Sequence, residues 1–180
     1  MNLLSIFQQR HSIRKYTGAP IDDAALTQII QAGLLSASSR SIRPWEFIVV
    51  KDKDMLRHLS ECRTGAAWML AGADAAIVVI ANAEVSDVWI EDSSIAMANM
   101  HLMADSLGIG SCWIQGRLRT ATTADSGTAS VTTEDYVREC LDFPEGYKLE
   151  AILSLGMPAE EKTPAELSKL PFEKIHYEKF

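Results

Sequence analysis

Arg10-His11-Ser12-Ile13-Arg14-Lys15-Tyr16 gathers the groups in this chain best suited to holding an anion. Two guanidiniums, an ammonium and a hydroxyl in one short run offer forked, charge-assisted donors to phosphate or carboxylate oxygens. The run is conspicuous because the 180-residue chain carries a formal net charge of -7. Its first 21 residues nevertheless contain Arg10, Arg14 and Lys15 and no acidic residue. A local cationic cluster on an acidic chain suggests a specific anion site rather than a general polyanion surface. A solvated basic helix end is the competing reading, since the macrodipole favours cations near a helix C-terminus.

The elements that must position this cluster are legible around it. Leu3, Leu4, Ile6 and Phe7 give a short helix after a possible Asn2 cap, so the basic run falls at or just past its end. Gly18 and Pro20 break the chain, and Asp22 or Asp23 can cap a second helix. Its Leu26, Ile29, Ile30 and Leu34 share one face. Ser36, Ser38, Ser39 and Ser41 end that helix in a polar loop. Trp45 to Val50 reads as a strand, and Met55, Leu56, Leu59 and Cys62 mark an amphipathic helix. Ala75 to Ala81 lacks polar alternation and is predicted to be a strand covered on both faces. Ser93 to Leu107 is apolar almost all round, which predicts a central buried helix that Gly108 ends in a left-handed cap.

Ser111 to Gln115 is predicted as another strand. Arg117 to Ser130 is rich in Thr, Ala, Ser and Gly and reads as a mobile loop and possible lid, though too featureless to argue for a dedicated substrate cover. Thr132 or Thr133 can cap a helix carrying Val137, Cys140 and Leu141, ended by Pro144 and Gly146. Lys148 to Leu155 closes the core as its last strand. Glu160 to Phe180 has little core of its own and is expected to pack on another surface, with an extended end at Lys174 to Glu178. The sum is a mixed α/β layer of four or five strands with helices on both faces, in one domain spanning residues 1–180.

Composition excludes several classes. A pI near 5.1 argues against nucleic acid or an anionic membrane as partner, because both need a cationic face. No long apolar run suggests a signal peptide or a transmembrane span. Cys62, Cys112 and Cys140 are odd in number and widely spaced, which predicts reduced, mostly buried thiols in a cytoplasmic protein. No Rossmann glycine motif, Walker loop, nucleophile elbow or His-Glu-x-x-His pair is present. His58 and His101 fall on helices, where packed or surface roles are expected ahead of metal ligation.

Three stretches carry a family resemblance. Arg10-x-Ser12-x-Arg14-x-Tyr16 follows a short apolar helix; Ser38-Ser39-Arg40-Ser41-Ile42-Arg43-Pro44-Trp45 precedes a strand. Leu107-Gly108-Ile109-Gly110-Ser111-Cys112-Trp113-Ile114 follows a long apolar helix. In order and spacing they resemble the signature of the FMN-dependent nitroreductase family over nearly the whole chain. The resemblance implies an α+β nitroreductase-like fold with a central, mostly antiparallel sheet and an extended C-terminal tail. It implies a homodimer with FMN at the seam, NAD(P)H as electron donor, and a nitroaromatic or quinone-type acceptor in a ping-pong cycle.

The same resemblance assigns residues. Arg10 and Ser12 stand at phosphate or ribityl positions, with His11 contributing backbone, and Arg14 at the N1/O2 edge of the ring. Ser38, Ser39 and Ser41 would lie beside the ring of the flavin held by the other subunit. Trp113, Ile114 and Gln115 would wall the opposite side, and Lys169 before Leu170-Pro171 would close on the phosphate. The family more often has Asn at Ser41 and Gln at Arg43, which weakens the expected hydrogen bonding to the pyrimidine edge. Without the resemblance, Ser38 to Ser41 is a serine-rich helix exit, Trp113 a core residue and Lys169 a surface lysine. No catalytic side chain and no metal ligand is implied, since the redox chemistry belongs to the cofactor. Reductive dehalogenation, flavin fragmentation and flavin binding without turnover are the alternatives, and a flavin-free interaction module is a further one.

Overall fold

The structure is a computed structural model that describes residues 2–122 and 130–180. In chain order it contains α1 (Leu3–Gln9), α2 (Asp23–Leu34), β1 (Trp45–Val50), α3 (Lys53–Leu59), β2 (Ala75–Asn82), α4 (Trp89–Ser106), β3 (Gly110–Gln115), α5 (Thr133–Leu141) and β4 (Tyr147–Gly156). The four strands form one antiparallel sheet in the order β1-β2-β4-β3, the lower of the two strand numbers expected. Asn2 caps α1 through its Oδ1, and the Thr132 hydroxyl caps α5 by accepting from the Asp135 N–H. Gly108 has φ +72 and ends the turn after α4, as expected.

Each sheet face has its own core. Leu56 and Leu59 of α3 and Val137 of α5 pack against Val78, Ile80, Cys112, Ile114, Leu149 and Ile152. On the other face Leu26 and Ile29 of α2, with Met97, Met100 and Ala104 of α4, cover Ile77, Val79, Ala151, Leu153 and Leu155. β2 is buried on both sides because helices cover both faces. No described helix is long and apolar enough to cross a membrane.

The structure revises several local expectations. Leu34 is exposed, and Gly33 takes the buried place instead; a Cβ there would meet Met100 Sδ at 2.8 Å, so glycine sets how closely α2 approaches α4. Only one face of α4 is buried: Ile95 is exposed and Leu102 and Met103 are half-buried, because this chain's own sheet covers just one side. α5 ends at Asp142, a left-handed residue with φ 53, ahead of Pro144 and Gly146. Cys140 is half-buried, while Cys62 and Cys112 are buried, and all three thiols are free. Residues 161–180 are exposed throughout; Phe172–Lys174 is a 3-10 turn, so the end is not one extended segment. Two hydrogen bonds tie the tail to α1, Ala165 N to Gln8 O and Gln8 Nε2 to Ala165 O. Of the predicted loop 117–130, residues 123–129 lie outside the described residues.

Tyr16 fastens the basic segment to the sheet. Its hydroxyl donates to the Ile13 carbonyl at 2.8 Å and lies 2.8 Å from Ser154 Oγ on β4. Its ring covers Gly156, where an added Cβ would fall 2.5 Å from Tyr16 Cγ. Gly156→Ala should therefore cost about 1–3 kcal/mol by overpacking. Gly72→Ala, where nothing lies within 4 Å, should stay within about 0.5 kcal/mol of the parent. Chemical denaturation of both variants measures the difference, and equal midpoints would refute the close packing.

Candidate functional site

β3 is an edge strand, and the basic segment is laid against only its first residues. Ser12 bridges Ser111 in parallel, and Ile13 N–H donates to the Ser111 carbonyl at 2.9 Å. Backbone groups of successive strand residues face alternate sides. With Ser111 turned outward, Trp113 and Gln115 also turn their N–H and C=O groups away from β4. Gly116 N–H turns inward to the Glu150 carbonyl at 3.1 Å, as the alternation requires. The outer edge beyond Ser12 is thus a short row of backbone donors and acceptors.

Arg10 stands at one end of this row. It is the C-cap residue of α1, and its Nη1 lies 3.0 Å from His101 Nε2 on α4. A guanidinium can only donate, so Nε2 must accept, and the imidazole proton sits on Nδ1. That Nδ1–H then donates to Ser111 Oγ on β3. Burial, reinforced by the Arg10 charge, takes His101 down to about 4, so the ring is neutral at physiological pH. Arg10 is therefore oriented by a neutral partner that does not offset its charge. Among the described residues no carboxylate forms an ion pair with Arg10, Arg14 or Lys15.

The neighbouring residues arrange themselves around that row. His11 Nδ1 is 2.6 Å from the Gln9 carbonyl. Burial pushes the Cys112 thiol up, while the nearby Arg14 guanidinium and Ser12 hydroxyl pull it down, so both side chains lie beside β3. Glu160 accepts the Arg14 and Lys15 N–H groups at 2.8 and 3.3 Å. Chiefly through the Arg14 N–H, this holds its carboxyl at about 2. Farther along, Trp113 Nε1 donates to Gln115 Oε1 at 2.9 Å, and Gln115 Nε2 donates to the Glu150 carbonyl at 3.2 Å. Trp113 and Gln115 are half-buried and Ile114 is buried.

The serine loop lies elsewhere in this chain. Ser39 N–H donates to Asp92 Oδ1 at 2.8 Å, Ser38 Oγ accepts from Arg43 N–H at 2.9 Å, and Arg40 pairs with Asp87. Arg40, Ser41 and Arg43 all have positive φ (54, 56 and 53), a costly conformation for non-glycine residues that fixes the loop's shape. Among the described residues no hydrogen bond or ion pair joins Ser38–Ser41 to Arg10–Tyr16. Lys169 is likewise apart: it is 74% exposed and pairs with Glu166 at 2.8 Å. One chain therefore assembles Arg10, Ser12, Arg14 and Trp113 to Gln115, and leaves Ser38, Ser39, Ser41 and Lys169 outside.

Sequence reasoning passed over two residues here. His101 was expected to take a packed or surface role, yet a histidine inside Met100-His101-Leu102-Met103 must find a polar partner when buried, and Arg10 is that partner. Glu150 occupies a β-bulge: Val79 pairs with Ala151 and Ile80 with Leu149, so Glu150 has no partner on β2. Its side chain is buried, Oε1 accepts from Ser94 Oγ at 3.3 Å, and Oε2 has no partner among the described residues. Burial raises this carboxyl, against the pull of Gln115, Ser94 and Arg117. A glutamate as the one charged residue of Leu149 to Leu155 was the available signal.

Comparison with known proteins bears on the whole chain. A family model described as Nitroreductase family matches residues 7–67 and 56–157. An FMN-dependent nitroreductase structure from Clostridium difficile R20291 is 43% identical with a TM-score of 0.91, covering 98% of this chain and 99% of that one. An Archaeoglobus fulgidus protein provisionally named an NADH dehydrogenase/NAD(P)H nitroreductase is 36% identical, over 98% of each chain. The NADPH-flavin oxidoreductase of Vibrio harveyi is 26% identical over 98% of this chain and 73% of its own length.

Two pH-dependent outcomes follow from this geometry. His101 is neutral in the fold but protonates near 6.5 when unfolded, so the unfolded chain binds more protons between pH 6.5 and about 4. Stability is full above 6.5 and falls as pH drops through that window, by about 1.4 kcal/mol per unit of separation. His101→Gln, whose amide can accept from Arg10 and donate to Ser111, should lose less over the same window in a pH series of denaturation curves. Glu150 has the opposite sign: its folded value is raised, so its destabilising effect starts near the unfolded 4.5 and grows as pH rises. Glu150→Gln should be more stable than the parent at pH 7 by about 1–3 kcal/mol, with the gap closing toward pH 4. An unchanged gap across that range would show that Glu150 is not desolvated.

Proposed function

This chain belongs to the nitroreductase family, and from that premise we propose that it is a cytoplasmic, homodimeric oxidoreductase using FMN. It would pass electrons from NAD(P)H to nitroaromatic, quinone or similar conjugated acceptors. The observation that carries the reading is Arg10: a buried, neutral His101 aims it without neutralising it, at one end of an open strand edge. The residues present fit FMN, which needs a cation for its phosphate, polar groups for its ring edge and one open ring face. When bound, FMN would supply the two-electron store, taking a hydride from NAD(P)H and returning two electrons to the acceptor.

The remaining work belongs to the chain. Arg10 would hold the phosphate by a forked, charge-assisted contact, with Ser12 and the His11 backbone beside it. The outward N–H and C=O groups of Trp113 and Gln115 would meet the ring edge, with Ile114 and the Trp113 ring as an apolar backing. Arg14, placed next to Cys112, would offer a cation to the edge that gains negative charge on reduction. No side chain is assigned as acid, base or nucleophile. A quinone takes up two electrons and two protons to become a hydroquinone; a nitro group taking the same releases water and leaves a nitroso group. Donor and acceptor would share one open face in turn, giving ping-pong kinetics.

The dimer reading rests on apolar surface that one chain leaves uncovered. Leu3, Phe7, Leu35, Ile95, Phe172 and Tyr177 are exposed, on α1, the exit from α2, the outer side of α4 and the tail. Such faces usually mark interfaces, and obligate ones bury roughly 2,000 Å² or more. A two-fold partner would bring Ser38, Ser39 and Ser41, and the tail with Lys169, to the other chain's Arg10.

Purified protein should be yellow and dimeric by light scattering, release about one FMN per chain on acid treatment, and bleach anaerobically with NADH or NADPH. Arg10→Met should weaken FMN binding about 10–100-fold, the scale of a charge-assisted contact of about 1.5–3 kcal/mol. Protein that holds FMN but never bleaches would be a flavin carrier. Protein that takes up no flavin after reconstitution would overturn the reading.

A further inference from the structure

A cleft of about 520 Å³ opens at the residue following the Trp113–Gln115 wall. Its lining includes Trp89, Arg117, Leu118, Arg119, Glu134 and Lys148. Its size suits one small ligand. Its chemistry is one-sided. Glu134 is already engaged by Arg138 at 3.0 Å, Lys148 at 3.3 Å and the Leu149 N–H at 3.0 Å. Arg117 and Arg119 form no ion pair among the described residues. The lining thus carries three cations against one carboxylate, with the buried Glu150 carboxyl close enough to Arg117 to feel its charge, and the half-buried Trp89 ring is the aromatic wall.

Its backbone is built with unusual care. Gly116 lies where a Cβ would come within 2.5 Å of Leu149 Cδ2, so the chain leaves β3 pressed against β4. The bulged Glu150 carbonyl accepts both Gly116 and Arg117 N–H groups, at 3.1 and 3.0 Å, and fixes where Arg117 begins. Leu118 then adopts φ 58, a sterically costly conformation for a bulky residue, and is 77% exposed. It buries little of its own side chain, so a strained and exposed leucine between two arginines is placed to meet an apolar group entering the cleft.

We propose that this cleft binds the anionic end of a flat aromatic acceptor, with the ring against Trp89 and Leu118 and its carboxylate or sulfonate on Arg117 and Arg119. The proposal rests on the reading above for the electron transfer itself, and deepens it by naming the acceptor class: conjugated electrophiles carrying an acidic substituent. Guanidiniums suit this role because they hold carboxylates in a forked geometry and stack on aromatic faces.

The test uses the full-length protein in two arms. Binding of benzoate and benzamide, which cannot be reduced, is measured by calorimetry on the parent and on Arg117→Gln/Arg119→Gln. Benzoate should bind at least about ten-fold tighter than benzamide, the scale of one charge-assisted contact. The double variant should lose that margin, and Arg117→Lys/Arg119→Lys should restore part of it. In the second arm, kcat/KM for 4-nitrobenzoate over 4-nitrobenzamide should show a similar preference and the same loss. No benzoate preference in the parent, or one that survives in the double glutamine variant, overturns the proposal. So does a double variant whose NADPH to NADH ratio changes while its acceptor ratio does not, because the arginines would then serve the donor's phosphate. A colourless chain that still binds benzoate through these arginines would refute the flavoenzyme reading and leave the aromatic-anion site standing.

Discussion

The contact on which the site depends is a charged group held by an uncharged one. A carboxylate beside Arg10 would orient it as well as His101 does, but would also neutralise it. The imidazole can act this way only because it is buried, and it is buried because α4 crosses the start of β3. Arg10, His101 and Ser111 thus join the end of α1, the middle of α4 and the first turn of the edge strand in one chain of hydrogen bonds. Asp105, one turn farther along α4, is raised by burial, with Arg10 and His11 pulling the other way, and it forms no ion pair with Arg10 among the described residues.

The second organising feature is an irregularity in the sheet. The bulge at Glu150 shifts the register between β2 and β4 and leaves one carbonyl facing the exit of β3. That carbonyl receives the Gln115 side chain and the Gly116 and Arg117 backbones together. The end of β3 at Gln115 and the start of the cleft at Gly116 and Arg117 are consequently set by the same residue, and a change in one strand's register would move both. The accompanying carboxyl, buried with one oxygen unpartnered among the described residues, is a destabilising feature, and bulges are over-represented next to active sites.

Much of this was legible in the sequence because it depends on local rules. All four strands were located, two of them by continuous apolar runs, and Asn2, Thr132 and Gly108 marked helix ends through chemistry that needs no tertiary context. What escaped was decided by contacts distant in sequence. Leu34 fits the helical face of α2 perfectly well, but the space there is taken up by the closeness of α2 and α4 at Gly33. His101 and Arg10 are 91 positions apart, and no periodicity links them. Ser38 to Ser41 and Lys169 matched by likeness, yet one chain does not gather them with Arg10, and the proposed dimer is the relation that would. The ending of α5 at Asp142 instead of the obvious breakers shows the smaller error typical of helix ends.

The open edge of β3 also has a meaning for the life of the chain before anything fills it. An unpaired row of backbone donors and acceptors is a template for any other extended segment, including the same strand of a neighbouring copy. Among the described residues only Ser12 and Ile13 pair with it, at its beginning, and β3 has no charged side chain of its own to guard the rest. A ligand seated there does two things at once. It occludes the sticky edge, and by binding only the folded form it adds about 2.7 kcal/mol of stability at a hundred times its dissociation constant. Newly made chains would therefore be safest from aggregation and proteolysis where that ligand is plentiful, so that cellular abundance of the protein follows supply of what it binds.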